Sequence, residues 1–72
     1  MPAIAVDVKK KLESFTNLGH LALVGCELTT LQNFPNLPNL VNLELIDNKL
    51  TGASLKPLED CVNLISLSLE GN

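Results

Sequence analysis

Leucines recur from residue 18 onward in a pattern that repeats at nearly constant spacing. The pattern is Leu-x-x-Leu-x-Leu-x-x-Asn/Cys-x-Leu, and its copies begin at Leu18, Leu40 and Leu64, which are 22 and 24 residues apart. An asparagine stands immediately before each copy, at Asn17, Asn39 and Asn63. Side chains alternate across a β-strand, so each Leu-x-Leu segment predicts a short strand with its leucines buried and the intervening residue exposed.

Stacking these strands in parallel places equivalent leucines in two inward rows. The rows are Leu21, Leu43 and Leu67, and Leu23, Leu45 and Leu69. The position where the chain leaves each strand is held by Cys26, Asn48 and Asn72. An asparagine amide at such a turn both donates to and accepts from backbone groups that would otherwise be unpaired. Cysteine is a weak donor, so the side chain of Cys26 is expected to make fewer hydrogen bonds to the backbone at its turn than the asparagines do at theirs.

The repeat length and pattern are typical of leucine-rich repeats. The sequence therefore predicts an α/β leucine-rich-repeat solenoid of about three repeats, with a parallel concave sheet and a convex side of short helix, 3₁₀ and turn segments. The expected divisions are an N-terminal helical segment (1–17) and repeats at 18–39, 40–63 and a truncated 64–72.

The segments that return from one strand to the next differ in sequence. Segment 29–38 contains two prolines, which disfavour helix, so turns or a 3₁₀ piece are expected, with Leu31, Phe34 and Leu37 entering the core. In segment 51–62, Ser54 is a suitable N-cap and Pro57 falls in the first turn. A short helix over 54–60 is therefore predicted.

The N-terminal segment is predicted to form a helix that covers one end of the leucine core. Its expected apolar side comprises Val6, Val8, Leu12 and Phe15, and Asp7 suits the positive end of the helix dipole. The lysines at 9–11 are interpreted as a solvated face, because the run is short and has no interleaved aromatic residues.

Composition narrows the range of functions. The net charge is −3 and the chain has only two aromatic residues, so an aliphatic core and basic partners are expected, rather than nucleic acid or anionic membranes. No apolar run approaches the roughly 20 residues of a membrane span, and no signal peptide is visible, which favours an intracellular protein. Cys26 and Cys61 are expected to be free thiols. No metal or other cofactor is expected, because His20 has no clustered ligand partner.

Several longer stretches resemble one known family. The stretch 37–52 (Leu-Pro-Asn-Leu-Val-Asn-Leu-Glu-Leu-Ile-Asp-Asn-Lys-Leu-Thr-Gly) and the stretch 58–72 carry the resemblance, in particular a Cys before the Asn-Leu of a repeat. They look like the leucine-rich-repeat domain of the acidic leucine-rich nuclear phosphoprotein 32 family. The resemblance implies a non-enzymatic protein, nuclear and cytoplasmic, that binds histones and, at full length, acts as a histone chaperone or phosphatase regulator. Compared with that family, the N-terminal cap and first repeat are absent or reduced in this sequence, and the last repeats, the C-terminal cap and the acidic tail are absent.

The outward positions of the predicted sheet form the candidate binding surface for a basic protein such as a histone. These positions are His20, Val24, Asn42, Glu44, Ile46, Asp47, Ser66, Ser68 and Glu70. Catalytic residues are not expected: Ser66 and Ser68 lie near His20, but no oxyanion donors or closed pocket are implied.

The alternative function is structural. Strand 66–70 would present an unpaired edge, and such edges pair with other chains. The chain would then extend a larger array or self-associate through this edge, with no independent ligand.

Overall fold

The computed structural model describes residues 3–72 of the chain. Met1 and Pro2, which belong to the predicted N-terminal segment, lie outside the described residues. In chain order the elements are helix α1 (Val6–Glu13), strand β1 (His20–Ala22), strand β2 (Asn42–Glu44), a 3₁₀ helix (Gly52–Asp60) and strand β3 (Ser66–Ser68).

The three strands form one parallel sheet in the order β1-β2-β3. Asn42 lies between His20 and Ser66, and Glu44 lies between Ala22 and Ser68, as the sequence register predicts. Backbone pairing continues beyond the strands, because Leu45 N–H donates to the Ser68 carbonyl at 2.8 Å. The predicted register is therefore confirmed.

An aliphatic core lies on one side of this sheet. Its buried apolar residues are Ile4, Leu21, Leu28, Leu31, Leu37, Leu40, Leu43, Leu45 and Leu50. The turns of segment 29–38 contribute two of these leucines, and Phe34 packs against them half-buried, which confirms the prediction for that segment.

Asparagine side chains join successive turns of the chain. Asn48 is 4% exposed, and its Oδ1 accepts the backbone N–H groups of Cys26 and Leu28, each at 3.1 Å. Asn72 repeats this role one turn later, accepting the N–H of Leu50 at 3.1 Å. The prediction that the asparagine side chain at these turns pairs with backbone groups is confirmed. At the equivalent position, Cys26 Sγ donates to the nearby Val24 carbonyl at 3.6 Å and does not join two turns.

The predicted helix after β2 is present but differs in type and start. It is a 3₁₀ helix that begins at Gly52 and contains Pro57, and its N-cap is Thr51 rather than Ser54. The Ser54 hydroxyl instead donates to the Thr29 carbonyl at 3.1 Å, which ties the helix to the preceding turn.

The N-terminal helix forms where predicted, but its apolar side is not the one expected. Val6 is 54% exposed and Val8 is 37% exposed, and Phe15 is also half exposed. The core contact comes from Ile4, which is 1% exposed and precedes the helix, together with half-buried Leu12. The prediction of an apolar side through Val6 and Val8 is wrong, because the helix contacts the core through Leu12 and the preceding Ile4, while Val6 and Val8 lie on its exposed side.

The prediction of a leucine-rich-repeat solenoid is also corrected. A solenoid stacks one repeated structural unit, whereas the segments flanking the strands here differ in kind: an α-helix before β1, turns before β2 and a 3₁₀ helix before β3. The structure is a small α/β unit with a single sheet of three-residue strands. The domain divisions drawn at 17, 39 and 63 remain predictions.

Candidate protein-interaction surface

The residues that alternate with the buried leucines form an open surface, here called the outer face. It consists of one row across the three strands, His20, Asn42 and Ser66, and a second row, Ala22, Glu44 and Ser68. Each side chain of the outer face is exposed or half-buried, while Leu21 and Leu43 between them are buried. Strand pairing thus brings the outward positions of the three strands onto one side of the sheet.

A polar contact crosses the outer face diagonally. His20 Nε2 lies 2.9 Å from Glu44 Oε2, and the two side chains are 53% and 32% exposed. The two residues are diagonal neighbours on adjacent strands, a distance that long side chains span. The contact holds the Glu44 carboxylate over β1, so this carboxylate already has a partner within the chain.

The ends of the strands bring further outward residues into line. Gly25 N–H donates to the Ile46 carbonyl at 2.9 Å, and Asp47 N–H donates to the Glu70 carbonyl at 2.8 Å. Val24 is half exposed and Ile46 half-buried, so they form the apolar part predicted for this region. Asp47 and Glu70 are both exposed beside it.

Asp47 adopts an uncommon backbone conformation. Its φ is +58°, and the equivalent positions on the other two turns are Gly25 at +66° and Gly71 at +77°. The left-handed region favours glycine, because a Cβ crowds the backbone there. The Asp47 side chain also occupies the space that a side chain at residue 71 would need. Glycine at 71 therefore leaves room for the Asp47 carboxylate.

All nine residues predicted for partner binding lie on the outer face or at its strand ends. The structure joins His20 directly to Glu44 and links Asp47 to Glu70 through the backbone. The remaining polar members, Asn42 on β2 and Ser66 and Ser68 on β3, lie beside these groups on the same surface. The role of all nine residues in binding remains a prediction.

A cavity on the return segments was not anticipated from the sequence. Its volume is about 490 Å³, and Lys9, Phe34, Pro57 and Cys61 are among its lining residues. Burial, together with the nearby Asp60 carboxylate, raises the pKa of the Cys61 thiol. The sequence signal for it is weak: Pro35 and Pro38 in one return segment and Pro57 in the other predict turns, but not the space between the segments.

The structure gives no support to a catalytic or metal centre on this face. His20 and Ser66 are separated by β2, a span of about 10 Å for two strand spacings. Within residues 3–72, no three His, Cys, Asp or Glu side chains cluster so as to hold a metal ion. Both cysteines in this range are free thiols, and they are half-buried. In the same range no helix is long and apolar enough to cross a membrane.

Comparison with curated proteins identifies a relative of a different kind from the one predicted. The chain is 40% identical over 65 residues to a protein of Tetrahymena thermophila that is named as a histone, the Y form of class 2A. The alignment covers 90% of this chain but only 17% of that protein. The chain thus resembles a small portion of a much longer protein that bears a histone name.

Neither protein-family models nor solved structures match the chain. The resemblance to the acidic leucine-rich nuclear phosphoprotein 32 family is therefore wrong, because the similarity found is to the Tetrahymena histone and no leucine-rich-repeat family model matches. The exclusion of nucleic acid as a partner also loses its support, since it rested on the net charge and on the short lysine run at 9–11, and the relative is named as a histone.

Proposed function

We propose that this chain is a non-enzymatic protein-interaction unit that binds a basic polypeptide segment on its outer face and works in the nucleus. The nuclear assignment rests on the similarity to part of the Tetrahymena histone. The binding assignment rests on one observation: the exposed residues Asp47 and Glu70 lie side by side at the strand ends, next to Val24 and Ile46.

The arrangement suits a Lys- or Arg-containing segment in an extended conformation. Three strands at about 4.8 Å spacing present a surface about 10 Å wide, which about three residues of extended chain cross. Asp47 and Glu70 would attract the cationic groups, while Val24 and Ile46 would cover the aliphatic parts of the same side chains. Charged groups of this kind increase the association rate and orient the partner, and the apolar contacts add affinity.

His20 and Glu44 have a different role in this proposal. Because Glu44 already contacts His20 at 2.9 Å, its carboxylate is positioned before a partner arrives. A basic side chain would add to this pair or displace the imidazole from it. Glu44 is therefore expected to contribute orientation, and Asp47 and Glu70 to contribute most of the salt-dependent affinity.

The test is a comparison of two double variants that remove the same charge from different places. Asp47→Asn with Glu70→Gln removes the two acidic groups at the strand ends beside the outer face, and Asp7→Asn with Glu59→Gln removes exposed acids on the two helices. The probe is a synthetic peptide rich in Lys and Arg, titrated by calorimetry at low and at physiological salt. We expect the first variant to lose at least about tenfold in affinity and most of the salt dependence, and the second to lose less than about twofold. Equal losses in the two variants would contradict the proposal.

A further inference from the structure

The cavity on the return segments, here called the return cavity, lies between two described elements. Lys9 of α1 lines one part of it, and Pro57 and Asp60 of the 3₁₀ helix line another, together with Cys61 directly after that helix. Segment 31–37, which lies between α1 and the 3₁₀ helix in chain order, supplies the rest of the lining. A volume of about 490 Å³ is within the range of small-ligand sites, and a sphere of that volume is about 10 Å across.

The ammonium group of Lys9 has no carboxylate partner within the described part of the chain. The ion pair found there is the one between His20 and Glu44. Glu13 follows Lys9 by four residues on α1, the spacing at which opposite charges on a helix meet. Its carboxylate accepts the backbone N–H of Asn36 at 2.6 Å instead. Lys9 is half-buried against the cavity, so its ammonium group is available to an anionic group that enters.

Asp60 provides the opposite charge from the 3₁₀ helix. Its side chain is exposed, and no cation lies within ion-pair distance of it among residues 3–72. The Asp60 carboxylate lies close enough to the Cys61 thiol to raise its pKa, which places this negative charge beside the cavity wall that Cys61 forms. Lys9 and Asp60 form no ion pair with each other, so a gap separates the two charges that line the cavity.

The remaining lining combines apolar surfaces with side-chain amides. Pro35 is buried, and Phe34 and Pro57 are half-buried, so they offer a surface for an apolar group. The side-chain amides of Gln32 and Asn36 also line the cavity. Within residues 3–72 only the backbone N–H groups of these two residues form hydrogen bonds, so both side-chain amides can pair with a peptide group.

We propose that the return cavity binds a short peptide with free ends, about three residues long and with an apolar side chain in the middle. The carboxylate of the peptide would lie at Lys9, its ammonium group at Asp60, and its central side chain against Phe34 and Pro57. Three residues of extended chain span about 10 Å, which matches the width of the cavity. The two side-chain amides would pair with the peptide backbone.

Two other classes of ligand fit the same lining less well. A purely apolar molecule would exclude water from the ammonium group of Lys9 and the carboxylate of Asp60 without giving either a partner. An anion such as phosphate would pair with Lys9 but would meet the like charge of Asp60. A molecule that carries one charge of each sign gives both groups a partner.

The experiment uses three synthetic peptides and the intact chain. The peptides are Ala-Phe-Ala with free ends, the same peptide with an acetylated N-terminus, and the same peptide with a C-terminal amide. Binding is followed by NMR through the backbone amide signals of Phe34 and Cys61. We expect the free-ended peptide to shift both signals at millimolar concentration. Each blocked peptide should bind about threefold more weakly, which is the size expected for the loss of one partly exposed charge pair.

Chain variants assign each end of the peptide to its partner. In Lys9→Gln, the amidated peptide should bind as well as the free-ended one, because the partner of the carboxylate is gone. In Asp60→Asn, the acetylated peptide should bind as well as the free-ended one. The matched controls are Lys10→Gln and Glu59→Gln, which remove the same charges from adjacent exposed positions outside the cavity lining. Both controls should keep the threefold preferences.

Three results would overturn the inference, which does not depend on the outer-face proposal. The first is the absence of any shift at Phe34 and Cys61 at millimolar peptide. The second is equal binding of the three peptides to the parent chain, which would indicate an apolar site that does not recognise charge. The third is a loss of peptide binding in the variant that combines Asp47→Asn with Glu70→Gln, because the peptide would then occupy the strand ends instead of the return cavity.

Discussion

Cys26 donates its backbone N–H to the side chain of Asn48, 22 residues later in the chain, at 3.1 Å. The same Asn48 Oδ1 accepts from Leu28, and its Nδ2 donates to the Leu23 carbonyl at 2.6 Å and to the Leu45 carbonyl at 3.0 Å. One buried side chain therefore satisfies backbone groups on both sides of the turn that leaves β1. Without it these groups would lose their partners in the interior.

Asn48→Ala is predicted to be among the most destabilising substitutions in the chain. It removes the partner of two backbone N–H groups, each at a cost of about 1–3 kcal/mol when left buried and unpaired, so the expected loss is about 2–6 kcal/mol. Urea denaturation followed by circular dichroism measures the loss. Asn72→Ala is the matched control and should cost less, because Asn72 is exposed. Equal losses at the two positions would argue against burial as the reason.

Asp47→Gly is predicted to leave the stability unchanged or to raise it by up to about 1 kcal/mol, since the left-handed conformation at φ +58° penalises a Cβ. Asp47→Ala should lower the stability instead, because alanine has the Cβ but lacks the short polar side chain that favours this conformation. In thermal unfolding, the melting temperature of Asp47→Gly should equal or exceed that of the parent chain. The melting temperature of Asp47→Ala should be lower than that of the parent chain. A melting temperature of Asp47→Ala equal to or above that of Asp47→Gly would show that the backbone conformation at residue 47 is not strained.

Leucine truncation is predicted to have unequal effects on equivalent strand positions. Leu43→Ala removes a fully buried side chain, and it should cost about 2–5 kcal/mol. Leu67→Ala removes a side chain that is 39% exposed and should cost less than about half as much. Both costs are read from urea denaturation under the same conditions, so they are directly comparable. A Leu67→Ala cost equal to that of Leu43→Ala would mean that β3 is covered in solution.

Alkylation of Cys61 is predicted to be slower in the folded chain than in the denatured chain. The reactive form is the thiolate, and burial with the Asp60 charge raises the pKa of Cys61 from its ordinary value of 9.0. The measurement is the rate of reaction with iodoacetamide in the Cys26→Ser variant, from neutral to alkaline pH. Asp60→Asn should speed the reaction, because it removes the Coulombic part of the shift. An unchanged rate in Asp60→Asn would rule out that electrostatic contribution.

The same shift has a consequence for stability. The folded chain holds the Cys61 proton more tightly than the unfolded chain does, so this contribution to stability is fully present below the ordinary pKa of 9.0 and is lost as the pH rises through the raised pKa. Unfolding curves at neutral and at alkaline pH for the parent chain and a Cys61→Ala variant test the sign. A parent chain that gained stability relative to the variant at alkaline pH would contradict the assigned direction.

The strand register and the asparagine contacts were predictable because they depend on local spacing. Leu43 fills the core side of its strand, as alternation along the strand predicts, and Asn48 pairs with backbone groups at the turn, as its amide allows. These local roles do not by themselves identify a family, and the family assignment built on the leucine and asparagine spacing was wrong. The exposed Val6 and the buried Ile4 could not be told apart from the sequence, since both are aliphatic and only the shape of the core separates them.

The outer face was predictable in its members but not in its contacts. Alternation along a strand places His20 and Glu44 on the same side. Their 2.9 Å contact depends on side-chain rotamers across two strands, which no sequence pattern specifies. The cavity next to Cys61 depends on how two dissimilar return segments meet, and it was missed for that reason.

The graded exposure of the strand leucines also implies an order of opening in the native state. Regions with little buried apolar area unfold locally at low free energy, while well-buried regions open only with the whole molecule. With Leu43 fully buried and Leu67 partly exposed, fluctuations should detach β3 while β1 and β2 stay joined through Asn48. Amide hydrogen exchange should therefore be faster at Leu67 in β3 than at Leu43 in β2, although the two residues are paired neighbours in the sheet.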